Sequence, residues 1–160
     1  MTCPNEEYDL QGGSAYEALC ASGLLPVIMA NSSRISKSLD GAVVLLVEDD
    51  FFIGLEYIEH LTKWGVCVIG PAISDAEARK LLADRPIDAA LLDVSIQGGN
   101  SFALAADLCE ANIPTAFVTA FASDERMFPE NLQTLTRLGK PVHDSQLHSL
   151  LTTLLSSRFV

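Results

Sequence analysis

Six consecutive residues, Ala42-Val43-Val44-Leu45-Leu46-Val47, are aliphatic, and the next three, Glu48-Asp49-Asp50, are all acidic. A run this apolar reads as a strand buried on both faces, which requires a sheet covered by helices on each side. The spacing of Phe51, Leu55, Ile58 and Leu61 then predicts a helix up to Trp64, stopped by Gly65. Residues 66–69 form a second expected strand, closed by Gly70-Pro71. Ser74, with Glu77 three residues on, has the capping-box spacing of a second helix whose apolar side is Ala78, Leu81 and Leu82.

The alternation continues. Residues 88–92 read as a third strand after Pro86, and Gly98-Gly99-Asn100-Ser101 as a turn into a third helix over 102–111. A fourth strand is expected over 115–118, a weak helix interrupted by Pro129 over 123–132, and a fifth strand over 135–138. Leu147, Leu150, Leu151, Leu154 and Leu155 make one face of a final helix. Five β–α units imply an α/β fold, (βα)5, with a doubly wound parallel five-stranded sheet. This organisation spans residues 42–157. Residues 1–41 read as an N-terminal extension and linker, partly helical or disordered, whose apolar patch at 24–29 suits a docking segment. A second folded domain after Val160 is not expected.

Charge excludes some functions. Lys and Arg total 10 against 21 for Asp and Glu, a net charge of −11. Such a surface repels phosphate backbones and anionic headgroups, so neither nucleic acid nor membrane is expected as a partner. Acids at positions 6, 7 and 9 have the wrong sign for a secretion signal, so a cytoplasmic location is expected. Cys3, Cys20, Cys67 and Cys109 match no metal-ligand spacing, and a disulfide framework is not expected. Cys67 and Cys109 are expected to pack as small hydrophobes. His60, His143 and His148 have no partner spacing and read as surface or helix-face residues.

In open parallel sheets ligands bind outside the carboxyl ends of the strands. Glu48, Asp49 and Asp50 follow the first strand, Asp93 the third, Thr119 the fourth, and Lys140-Pro141 the fifth. Carboxylates from two strand ends can converge on a hard divalent cation such as Mg2+. A lysine supplies a point charge for a phosphoryl oxygen, and a threonine a hydroxyl donor. A carboxylate there can act as a nucleophile toward phosphorus. Asp50 fits a helix cap better than a ligand.

Val47-Glu48-Asp49-Asp50, Leu91-Leu92-Asp93, Phe117-Val118-Thr119-Ala120 and Leu138-Gly139-Lys140-Pro141, in that order, resemble the receiver domains of two-component response regulators. The resemblance covers residues 42–157. It implies a flavodoxin-like receiver fold with strand order 2-1-3-4-5 and Asp93 as the phosphoacceptor. It further implies Mg2+ held by Glu48, Asp49, Asp93 and the Ser95 backbone carbonyl, with Thr119 as the switch hydroxyl and Lys140 as the phosphate-contacting cation. The Lys140–Pro141 bond is typically cis in such domains. Asp93-Val94-Ser95, residues 98–102 and residues 113–119 look like stand-alone alphaproteobacterial receivers. The partners implied are a histidine kinase or a histidine phosphotransfer protein and a downstream protein target, and a homodimer stays open. Such a protein is not an enzyme acting on a separate substrate; it is a phosphoryl acceptor that catalyses its own phosphotransfer and dephosphorylation.

Two positions depart from the family pattern. Arg137 stands where a switch aromatic is usual, three residues before the lysine, and reads as an exposed group on the fifth strand. Phe121, two residues after Thr119, is apolar where many receivers carry a polar residue, and is expected to limit water access. Arg137 keeps open a pseudo-receiver, a phosphorylation-independent interaction module. A phosphatase with an aspartate nucleophile would need Asp-x-Asp after the first strand, which is absent.

Overall fold

The computed structural model describes residues 39–83 and 85–156. Nearly all of the expected extension over 1–41, with its apolar patch, lies outside the described residues. Leu39, at the start of the described chain, is already fully buried in the core. The elements are β1 (Val43–Val47), α1 (Phe51–Lys63), β2 (Cys67–Ala72), α2 (Asp75–Leu82), β3 (Ala89–Leu92), β4 (Ser95–Ile96), β5 (Gly99–Asn100), α3 (Phe102–Glu110), β6 (Thr115–Thr119), β7 (Thr136–Gly139) and α4 (Asp144–Ser156). The main sheet is parallel with order β2-β1-β3-β6-β7, which is the expected 2-1-3-4-5 for its five strands.

The alternation of β1 explains the two-faced core. Val44 and Leu46 point to one face, where Tyr57, Ile58 and Leu61 of α1 and Leu147, Leu151 and Leu154 of α4 cover them. Leu45 and Val47 point to the other, against Ala78 of α2 and Leu104, Ala105 and Leu108 of α3. Each fully buried aliphatic side chain removes enough apolar surface to stabilise the fold by about 1.5–3 kcal/mol, an upper estimate because the unfolded chain is already partly compact.

Helix ends follow the sequence signals. Asp50 accepts from the backbone N–H groups of Phe52 and Ile53 at 2.9 and 3.1 Å, so it caps α1 as expected. Ser74 accepts from the Glu77 N–H at 3.3 Å, while the Glu77 carboxylate accepts from the Ile73 N–H at 2.9 Å. Gly65, at φ +80°, ends α1 in the left-handed region where a side chain would be strained.

Four features differ from expectation. The helix expected over 123–132 does not form; two 3₁₀ turns, Glu125–Met127 and Glu130–Leu132, stand in its place. Pro129 holds Phe128 in an extended conformation, φ −91° and ψ 133°, and its ring goes into the core instead of onto a helix. Strand β2 does not close at Gly70-Pro71 but runs through a cis Gly70–Pro71 bond to Ala72, with a register irregularity against β1. The turn after Asp93 contains a two-stranded hairpin, β4 with β5, with Gly98 and Gly99 at positive φ. Cys67, on the edge strand β2, is disulfide-bonded, against expectation, while Cys109 is a free thiol pushed up in pKa by burial.

Candidate functional site

Sheet register assembles the site. Val47 pairs with Leu92 across β1 and β3, so Glu48 and Asp93 leave adjacent strands side by side. The Asp93 N–H donates to the Val47 carbonyl at 2.9 Å, and the Glu48 N–H to Ala72 at 2.9 Å. Thr119 pairs with Gly139 across β6 and β7, and the Lys140 N–H donates to the Thr119 carbonyl at 3.0 Å. The carboxyl ends of β1, β3, β6 and β7 therefore present Glu48-Asp49, Asp93, Thr119 and Lys140 together. Between β1 and β3 the chain order reverses along the sheet, which is where such folds place ligands.

Lys140 joins the acids. Its Nζ lies 2.5 Å from Glu48 Oε2 and 2.5 Å from Asp93 Oδ2. Glu48 is 2% exposed and Asp93 9%, whereas Asp49 is open to solvent. Burial pushes the Glu48 carboxyl above its ordinary value, opposed by the hydrogen bond and charge of Lys140. Burial alone would pull the Lys140 ammonium down; its hydrogen bonds to Asp93 and Glu48, and their charges, outweigh that and hold it above its ordinary value.

The donor set fits a hard cation. Carboxylate oxygens of Glu48, Asp49 and Asp93 lie within 4.8 Å of one another. All are hard oxygen ligands, and the open side at Asp49 leaves room for the waters that Mg2+ retains. Ser95, the source of the expected carbonyl ligand, opens β4, and its N–H donates to Asp93 Oδ1 at 3.4 Å. The Lys140–Pro141 bond is cis, as the resemblance implies.

Thr119 is fully buried at the end of β6, and its hydroxyl oxygen accepts from the Phe121 N–H at 3.4 Å. Phe121 itself is 42% exposed. Arg137 is not the exposed strand residue expected. Its guanidinium lies 4.6 Å above the Phe128 ring and donates to the Gln133 carbonyl at 3.1 Å. The apolar floor of the segment after β6 draws it in, because Phe128 packs with Phe102 and Phe117 beneath it.

Two supporting residues escaped the sequence reading. Ser101 is fully buried, and its hydroxyl donates to the Asp93 carbonyl at 2.5 Å, which ties the loop after β3 back to the nucleophile candidate. In the sequence it stands only as the last residue of the turn into α3, and it makes no side-chain cap bond there. Tyr57 lies buried on α1, its phenol pushed up by burial and by the nearby charges of Glu48, Glu56 and Asp93. The histidines lie elsewhere: His60 reaches Asp144 at 2.9 Å and so links α1 to α4.

No protein-family model and no curated protein sequence matches the chain. Solved structures do. The non-phosphorylated HemR receiver domain from Leptospira biflexa is 27% identical, with a TM-score of 0.63, over 72% of this chain and 94% of that one. A response regulator receiver protein from Sinorhizobium medicae WSM419 is 25% identical, with a TM-score of 0.63, over 75% of this chain and 98% of that one. A CheY-like response regulator receiver domain from Methylobacillus flagellatus is 22% identical, with a TM-score of 0.60, over 71% and 98%. The described residues have the receiver fold of response regulators.

Proposed function

We propose that this receiver-fold protein is a response regulator that accepts a phosphoryl group on Asp93 from a histidine kinase or a histidine phosphotransfer protein. One observation carries the reading: Lys140 bridges Asp93 and Glu48 within a cluster of three carboxylates at the sheet's switch point. Glu48, Asp49, Asp93 and the Ser95 carbonyl would hold Mg2+, which when bound neutralises charge on the transferring oxygens. An Asp93 carboxylate oxygen attacks phosphorus, the phosphorus–nitrogen bond of the donor phosphohistidine breaks, and its electron pair returns to the imidazole, which takes a proton. Lys140 exchanges its contact with Asp93 Oδ2 for a phosphoryl oxygen, and the Thr119 hydroxyl donates to another.

The protein is in this reading a phosphoprotein of a phosphorelay, not an enzyme with a separate substrate. Its surface signals to a downstream protein, alone or as a homodimer, in the cytoplasm. Among the described residues no helix is long and apolar enough to cross a membrane. Asp93-Val94-Ser95, residues 98–102 and residues 113–119 support placement with stand-alone alphaproteobacterial receivers, whose segment after the fourth strand is matched only in part by Phe117 to Ala122.

Intact mass after incubation with acetyl phosphate and Mg2+ tests the proposal. One added phosphoryl group is expected, lost without Mg2+ and lost in Asp93→Ala. A second reading, a phosphorylation-independent pseudo-receiver, draws on Arg137 at the switch position and on the 3₁₀ turns in place of a helix. Failure of the wild type to take up phosphate and to bind Mg2+ with beryllofluoride would favour it.

A further inference from the structure

The chain from Phe121 to Leu135 is anchored in the core by Phe128 and Leu132 and carries side-chain contacts toward both ends. At its start, the Phe121 N–H donates to the Thr119 hydroxyl oxygen at 3.4 Å. At its end, the Arg137 guanidinium lies over the Phe128 ring and donates to Gln133, while the Gln133 amide reaches the Phe128 carbonyl at 3.5 Å. Between them stand only two 3₁₀ turns, short and poorly cooperative elements. Phe121 and Met127 project from the segment into solvent.

The Arg137 contact is incomplete. Nη1 is buried and has no hydrogen-bond partner among the described residues. A buried charged donor left unpaired costs free energy that exposure to water would return. The arrangement therefore combines a favourable cation–ring contact with an unsatisfied donor, beside the core anchors Phe128 and Leu132.

We infer that Arg137 is a latch that holds the segment of residues 121–135 in place through Phe128 and Gln133, and that capture of the Thr119 hydroxyl by a phosphoryl group on Asp93 works against this latch from the other end. The inference rests on the proposed phosphoryl acceptance for its second half only. Arg137 is a positioning residue: it acts through Phe128 and Gln133, not on the phosphoryl group. The guanidinium acts by holding a ring and a carbonyl.

Amide hydrogen exchange on the full chain tests it, comparing wild type, Arg137→Met and Arg137→Lys, each with and without Mg2+ and beryllofluoride. Without additives, peptides covering 121–135 are expected to exchange about tenfold faster in Arg137→Met, the loss of one cation–ring contact and one charge-assisted bond. Peptides from β1 and α4 stay unchanged, and Arg137→Lys falls between. Equal protection of 121–135 in Arg137→Met, or acceleration spread evenly over the whole chain, overturns the latch. Beryllofluoride with Mg2+ is expected to speed exchange of 121–135 in wild type and to add little in Arg137→Met. Protection of the Asp93–Ser101 peptide without any change in 121–135 overturns the coupling. No response at Asp93–Ser101 instead counts against phosphoryl acceptance, and the additive-free comparison still decides the latch.

Discussion

The Lys140 ammonium sits 2.5 Å from Asp93 Oδ2, although 47 residues separate the two in the chain. The same nitrogen is 2.5 Å from Glu48 Oε2, so one cation bridges two buried carboxylates. Removing one member of such a group leaves uncompensated charge inside the protein, which is worse than never having placed it there.

Lys140→Met is therefore expected to lower stability by about 3 kcal/mol, the cost of breaking a buried pair. Glu48→Gln in the same chain is expected to recover a large part of that, because only Asp93 then stays charged. Urea unfolding of the single variants and the double variant measures the coupling. Strict additivity would show that the bridge contributes nothing.

Asp49 and Asp50 are neighbours with separable roles. Asp50→Ala removes the cap of α1 and is expected to cost about 1 kcal/mol of stability, with little change in Mg2+ affinity. Asp49→Ala touches no cap and faces solvent, so stability holds while Mg2+ binding is lost. Thermal melts beside Mg2+ titration separate the two; equal loss of Mg2+ binding in both variants would contradict the division.

Tyr57 sets an alkaline limit. Its phenol is raised above the ordinary value of 10.0, first by burial and then by the charges of Glu48, Glu56 and Asp93. A group raised in the folded state contributes stability that is fully present below its unfolded pKa and lost as pH rises toward its folded one. Tyr57→Phe is expected to match wild type near neutral pH and to exceed it above pH 10.0. Lys140, also raised, loses its contribution in both proteins and cancels from the difference. Denaturant midpoints at the two pH values decide it; parallel decline of both proteins would refute the assignment.

Phe121 begins the segment after Thr119 and is half open to solvent. If it screens the phosphoryl group from water, Phe121→Glu is expected to shorten the lifetime of phosphorylated Asp93 severalfold. Decay of the added mass after removal of the phosphodonor reports this. An unchanged lifetime would leave Phe121 as surface only.

Much of this was legible because its causes are local. The continuous aliphatic run at 42–47 demanded a covered sheet, and β1 is covered on both faces. Asp50, Ser74 and Gly65 signalled helix ends by their own hydrogen bonds or dihedral preference, and they stand at those ends. Strand order came from the resemblance and not from periodicity. The helix expected over 123–132 failed where local signals conflicted: Pro129 broke the pattern, and the pull of Phe128 toward Phe102 and Phe117 outweighed a weak helical propensity.

The sequence by itself determined the alternation of elements and which side chains stand at the strand ends, because apolar periodicity and turn chemistry act over a few residues. Tertiary structure alone decided what those side chains meet. Parallel register brings residues 48, 93 and 140 within hydrogen-bonding distance, and no local rule carries that separation. It also turned Arg137 inward and gave Ser101 to the Asp93 carbonyl instead of to its own helix. Both outcomes depend on which partner is nearest once the chain has closed on itself, and that is a property of packing in three dimensions.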